Sequence, residues 1–172
     1  MNIQKEYIAE FVYGATDGTI TTFAVMAGAL GAALSPSIVL ILGLANLFAD
    51  GFSMAVSNYL SNKSAGRVSS PFRFAMNKRN PVYTAQATFI SFVIIGLIPL
   101  IPFIGALWNP FMKDNTFGLS IVMTAFAFIL IGYIRGWVTN ENRLQSMVET
   151  LFVGGTAAFI AFAVGFILKN IA

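Results

Sequence analysis

Two aspartates, Asp17 and Asp50, stand within long apolar stretches of this 172-residue chain, and each has polar neighbours at helical spacing. Asn46, Asp50, Met54 and Asn58 recur every four positions. On an α-helix residues i and i+4 lie one above the other, so amide, carboxylate, thioether and amide share one stripe. Glu10, Gly14, Asp17 and Thr21 follow the same helical spacing and make a second polar face. Carboxylate and amide oxygens suit Mg²⁺, Ca²⁺ and Mn²⁺, while a thioether shifts preference toward softer ions such as Fe²⁺. The pattern therefore nominates Asp17, Asp50, Met54 and Asn46 as ligands for a divalent metal. Glu10, Thr21, Ser53 and Asn58 would line the polar path on either side. Taken singly, Glu10 also reads as an interfacial charge, Asp17 as a hydrogen-bonding partner for a neighbouring helix, and Met54 as packing.

Absences narrow the chemistry further. The chain has neither cysteine nor histidine, so it offers no disulfide, no zinc–thiolate site, no imidazole ligand and no Cys or His nucleophile. No nucleophile and base pair is recognisable, which argues against an enzyme, and no resident cofactor is implied. The formal charge of +3 is too small, and too confined to loops, for nucleic-acid binding.

Positioning these groups falls to membrane helices. Hydrophobic residues make up 57% of the chain, charged residues only 10%, and the mean hydropathy is +0.77. A soluble domain usually carries about 25% charged residues. No Asp, Glu, Lys or Arg occurs in 18–49, 80–112, 115–134 or 150–168. A helix crosses the hydrocarbon with about 20 apolar residues, which leaves room for five spans. We expect an all-α integral membrane protein whose spans lie at about 7–33, 37–60, 82–107, 116–138 and 147–168. An ionisable group kept inside such a span costs about 2.5–3.5 kcal/mol or more, and is by default a functional-site candidate.

Several local features set the boundaries. Leu34-Ser35-Pro36-Ser37 is an uncharged turn that folds spans one and two into a hairpin. Counted from their shared end, Asp17 and Asp50 each lie about ten residues, or about 15 Å, inside the membrane, so the two carboxylates can share a cation. Pro99 and Pro102 predict a bend in span three rather than a break, with the freed carbonyls needing other partners. Trp108-Asn109-Pro110 marks an interfacial exit. Ser146-Met147-Val148-Glu149 has capping-box spacing, so Glu149 is expected to close the start of span five. Gly14, Gly18, Gly28 and Gly31 are first-span candidates for close helix approach between two copies of the chain.

Residues 61–82 carry Lys63, Arg67, Arg73, Lys78 and Arg79 and no acidic residue. The positive-inside rule makes this linker cytoplasmic, and the alternation in Pro71-Phe72-Arg73-Phe74-Ala75-Met76 suits an anionic lipid surface. With the N-terminus also inside, eight basic residues are cytoplasmic against Lys113 and Lys169 outside, which places the C-terminus outside. Residues 1–10 do not read as a cleaved signal.

These residues resemble the vacuolar iron transporter family. The resemblance rests on Asp17-Gly18-x-x-Thr21-Thr22-Phe23-Ala24. It rests also on Gly43-Leu44-Ala45-Asn46-Leu47-x-Ala49-Asp50-Gly51-x-Ser53-Met54, continued by Asn58-Tyr59-Leu60-Ser61-x-Lys63-Ser64. Ala87–Phe92, Gly96–Leu100 and Glu149–Gly155 add to it. It implies a five-helix fold, a homodimer with the path at the subunit interface, and export of Fe²⁺ or Mn²⁺ from the cytoplasm in exchange for protons. In a prokaryote the location would be the plasma (inner) membrane, and in a eukaryote the vacuolar membrane. Plant members carry a glutamate two turns before the methionine, where this chain has Asn46; Asp50, one turn before Met54, is the arrangement of microbial members. Many members also hold an acidic metal-binding domain between spans two and three, where this chain has only its basic linker. Two other classes compete with this one. They are a small proton-coupled exporter of other cations or drugs, which would place a lone acid in an aromatic cavity, and a non-transporting membrane subunit, which would tolerate loss of both aspartates.

Overall fold

A computed structural model describes residues 3–65, 80–169 and 171, and all regular structure among them is helical. Helix α1 covers Ile3–Gly31, α2 Pro36–Ala65 and α3 Pro81–Gly96. A 3₁₀ turn at Ile98–Leu100 and the short α4, Ile101–Gly105, continue the line of α3. The short α5, Pro110–Asp114, then leads to α6, Thr116–Thr139, and α7, Arg143–Lys169. The chain is a multi-pass membrane protein: α2, the α3–α4 rod, α6 and α7 are long and apolar enough to cross a bilayer. The sequence predicts a fifth span in α1. At 29 residues α1 has the length, but Asp17, four threonines between 16 and 22, and several glycines make it less apolar than the other four.

The helix ends follow local chemistry. α1 closes with Ala33 in the left-handed region and Leu34 N–H donating to the Ala29 carbonyl, a Schellman-type stop. α6 ends the same way at Asn140, with Glu141 N–H donating to the Gly136 carbonyl. α7 begins earlier than expected, because Asn142 Oδ1 accepts from the backbone N–H of Leu144 at 3.0 Å and of Gln145 at 3.4 Å. Glu149 therefore does not cap this helix. It lies further inside α7, where its carboxylate accepts from Arg135 of α6 at 3.1 Å and from Gln145 at 3.0 Å.

The expected bend in span three takes a definite form. Pro99 and Pro102 remove two N–H donors, and the α-helical ladder gives way to the 3₁₀ turn at Ile98–Leu100. The partner for the exposed carbonyl comes from α6: buried Ser120 donates its hydroxyl to the Pro99 oxygen at 2.6 Å.

α1 is the central helix, packed mainly on α3 and α7 and less on α2 and α6. The core joins Met26 and Ala29 of α1, Val39 and Leu47 of α2, Phe92 of α3, and Leu100 and Phe103 at the kink. The first-span glycines make contacts within this one chain. A Cβ on Gly14 or Gly18 would collide with Ser91 and backbone atoms of α3, and one on Gly31 with the Phe162 carbonyl of α7. Gly28 faces Ala161, and a Cβ on Gly165 would collide with the Gly28 carbonyl. The expectation that these glycines pack against a second copy is therefore overturned, because α3 and α7 already occupy their faces. The Pro71–Met76 motif and most of the 61–82 linker lie outside the described residues.

Candidate metal site between the first two helices

Helix α2 keeps its polar residues on a narrow strip because the neighbouring strip is committed to packing. Gly43 meets Leu100, Leu47 is fully buried beside Gly96, and Gly51 lies against Phe89, Phe92 and Val93. One position back from each of these lie Leu42, Asn46 and Asp50, about 100° around the helix. Asn46 and Asp50 are thus half-buried at the margin of the packed face. On α1 the same logic holds: Gly14 and Gly18 are pressed against α3, and Asp17, beside Gly18, is half-buried.

Asp17 on α1 and Asp50 on α2 are both half-buried, on two helices that are in contact. Asn46 Nδ2 donates to Asp50 Oδ2 at 2.9 Å, so one oxygen of Asp50 is oriented along its own helix. Met54, one turn away, is half-buried and packs against the core cluster. Its thioether belongs both to the packing and to the polar stripe.

The remaining path residues divide. Thr21 donates its hydroxyl to the Asp17 carbonyl at 2.9 Å, so it binds its own helix while lying next to the acid pair. Glu10 is half-buried on α1, about 10 Å along the helix from Asp17. Ser53 is exposed, beside the exposed Phe52. Asn58 faces α3, where its Nδ2 donates to Thr88 Oγ1 at 2.9 Å.

Sequence reasoning missed Asn62, Thr84, Thr88 and Ser91, three of which are fully buried. The signal was present. Asn62 extends the four-residue stripe by one turn, and Thr84 and Thr88 share that interval on α3.

Among the described residues no three acidic groups cluster. Asn46, Asp50 and Met54 share one strip of α2 and Asp17 lies on the adjoining α1, so carboxylate, amide and thioether are the donor types this region offers.

A multi-pass helical membrane protein with paired acids inside its bundle is the class this architecture defines. The chain belongs to the VIT family, whose model matches residues 8–70 and 69–166. Among its relatives, the protein named vacuolar iron transporter 1 from Arabidopsis thaliana is 27% identical over 222 aligned positions, covering 96% of this chain and 87% of the relative. The vacuolar iron transporter of Toxoplasma gondii is 24% identical, covering 98% and 76%. That of Plasmodium falciparum is 22% identical, covering 98% and 85%.

Proposed function

We propose that this protein moves Fe²⁺ or Mn²⁺ out of the cytoplasm in exchange for protons, with Asp17, Asp50, Met54 and Asn46 holding the ion midway. The observation that carries this reading is a half-buried carboxylate on each of two touching helices, Asp17 on α1 and Asp50 on α2, within an otherwise apolar bundle. Like charges repel strongly where the dielectric is low, and either a proton or a divalent cation relieves that repulsion. Occupancy by one excludes the other, which couples metal movement to proton movement.

The membrane arrangement follows from the same reading. α1 is the fifth span, because Asp17 must reach the depth of Asp50. The basic linker 61–82 and the N-terminus face the cytoplasm, and residue 172 faces the other side. The protein acts as a homodimer, for two reasons. Four candidate ligands leave positions of an octahedral ion unfilled. In addition, α2 exposes Phe48, Phe52 and Val56 beside the stripe, a surface for a second copy. The family match divides at 69–70, inside the basic linker, and the Arabidopsis relative aligns over more positions than this chain has residues. Both support a member without the acidic metal-binding domain.

Reconstituted protein should take up Fe²⁺ or Mn²⁺ into proteoliposomes and move protons the other way. Parallel assays with Fe²⁺, Mn²⁺, Co²⁺ and Zn²⁺ rank the substrates. Absence of uptake for all four, from protein shown to be folded and inserted, would reject the transport reading.

A further inference from the structure

The polar stripe of α2 continues past Asn58 to Asn62, and there it is tied to α3. Asn62 Nδ2 donates to the Asn58 main-chain carbonyl at 2.9 Å, to the Asn58 side-chain oxygen, and to Thr84 Oγ1 at 3.3 Å. Asn58 Nδ2 donates to Thr88 Oγ1 at 2.9 Å. Thr84 and Thr88 are fully buried, and each gives its only hydroxyl hydrogen to its own helix. Thr84 donates to the Pro81 carbonyl at 2.9 Å and Thr88 to the Thr84 carbonyl at 3.0 Å.

A hydroxyl whose hydrogen is already placed can only accept. Both amides must therefore turn their NH₂ groups toward α3, and this bonding fixes which end of each amide points there. Asn58 Oδ1 is engaged by Asn62. Between the linker end of α2 and the acid pair, the stripe thus directs donors into the α2–α3 seam, where a cation requires acceptors. A cation in this part of the seam would meet amide hydrogens rather than oxygens.

A second observation shows which helix can open it. On its outer side the same seam gapes into an apolar groove of about 750 Å³, lined by Phe52, Val56 and Tyr59 of α2 and by Val82, Phe89 and Ile90 of α3. At its inner end the groove gives way to close packing, with Gly51 against Phe89, Phe92 and Val93. α3, by contrast, is in backbone contact with α1 at Gly14 and Gly18. The linker-side half of α2 is held to α3 by amide–hydroxyl bonds beside an open groove, whereas α1 and α3 are packed backbone against backbone.

We propose that Asn58 and Asn62, latched to Thr84 and Thr88, are the linker-side gate of the metal path. Release of the latch lets the two amides rotate and present their oxygens to an incoming divalent cation, which they pass to Asp17 and Asp50. The gate rests on the reading of those aspartates as the metal site.

Because the chain has no cysteine, Met54→Cys supplies a single thiol one turn beyond Asn58. Its reaction with a charged, membrane-impermeant methanethiosulfonate, added to one face of the membrane at a time, reports opening. Thr84→Val/Thr88→Val removes both acceptors. It should speed labelling from the linker face about tenfold or more, the population change expected from losing the two amide–hydroxyl bonds. Thr84→Ser/Thr88→Ser keeps the hydroxyls and should label at the parent rate. Asn62→Ala, at a half-exposed position, should accelerate labelling as the valine pair does, and it serves where the valine pair does not fold. Rates that differ by less than about twofold, below the loss of one hydrogen bond, would overturn the gate. Acceleration only from the opposite face would overturn it too. Labelling needs no metal, so a failure of the gate is distinct from a failure of the acid pair, which shows as transport surviving Asp17→Asn/Asp50→Asn.

Discussion

Asn46 and Asp50 are joined by a 2.9 Å hydrogen bond along one turn of α2, with the amide donating to the carboxylate. The bond orients Asp50 before any cation arrives, and preorganisation of a ligand acts on affinity. Asn46→Leu removes the donor at similar volume. It should raise the apparent KM for metal uptake about tenfold, as loss of one charge-assisted hydrogen bond would, with the maximal rate retained. Initial rates across metal concentrations measure this, and an unchanged KM would reduce Asn46 to packing.

The acids themselves should be indispensable. In a low-dielectric bundle a single carboxylate cannot balance a dication, and removing one partner of a buried charge pair typically costs about 3–5 kcal/mol. Asp17→Asn and Asp50→Asn should each lower divalent uptake by about 100-fold or more, on that scale. Proteoliposome uptake decides the matter, since transport that survives both changes together would leave the acids as helix-packing groups.

The glycines of α1 give a stability prediction independent of transport. Gly18→Ala and Gly31→Ala would drive a methyl group into backbone carbonyls of α3 and α7, whereas Gly118 and Gly155 have nothing within 4 Å of a new Cβ. Overpacking of this kind costs about 1–3 kcal/mol, so the first two should lower the thermal midpoint in detergent by several degrees. Gly118→Ala and Gly155→Ala should leave it unchanged or slightly raised. Equal midpoints for all four would contradict the helix contacts described.

Much of this was legible in the sequence because membrane helices announce themselves by composition. The charge-free stretch 115–134 overlies most of α6, Thr116–Thr139, and the i+4 stripe on α2 was visible before any coordinates. What the sequence concealed was partnership between helices. Glu149 fits a capping box by spacing, yet Asn142 starts the helix four residues earlier and Arg135 claims the glutamate from α6. The glycines of α1 reveal that something approaches closely, but not that the neighbours are α3 and α7 of the same chain. Thr84 and Thr88 look like ordinary helix threonines until α2 is laid beside them.

Topology is tested by the basic residues that define it. Lys78 lies in the linker assigned to the cytoplasm, and Lys169, the last residue of α7, is assigned to the other side. With no native cysteine to interfere, Lys78→Cys and Lys169→Cys should each react with an impermeant maleimide from opposite faces of sealed vesicles. The positive-inside bias of eight to two underlies this expectation. Reaction of both from one face would require an even number of spans between the linker and the C-terminal end.

Met54 separates metal preference from packing, provided the right substitution is chosen. Its side chain is half-buried against the core that includes Met26, Leu47 and Phe92, so Met54→Ala would remove a ligand and open a cavity together. Met54→Leu keeps the volume at a cost of less than about 1.5 kcal/mol and removes only the sulfur. A thioether favours Fe²⁺ over the harder Mn²⁺, so the leucine variant should weaken Fe²⁺ transport about tenfold while Mn²⁺ changes by no more than about threefold. Competition between the two ions in one proteoliposome preparation reads the ratio directly and cancels any loss of active protein. A ratio unchanged from the parent would remove Met54 from the ligand set and leave the site to Asp17, Asp50 and Asn46.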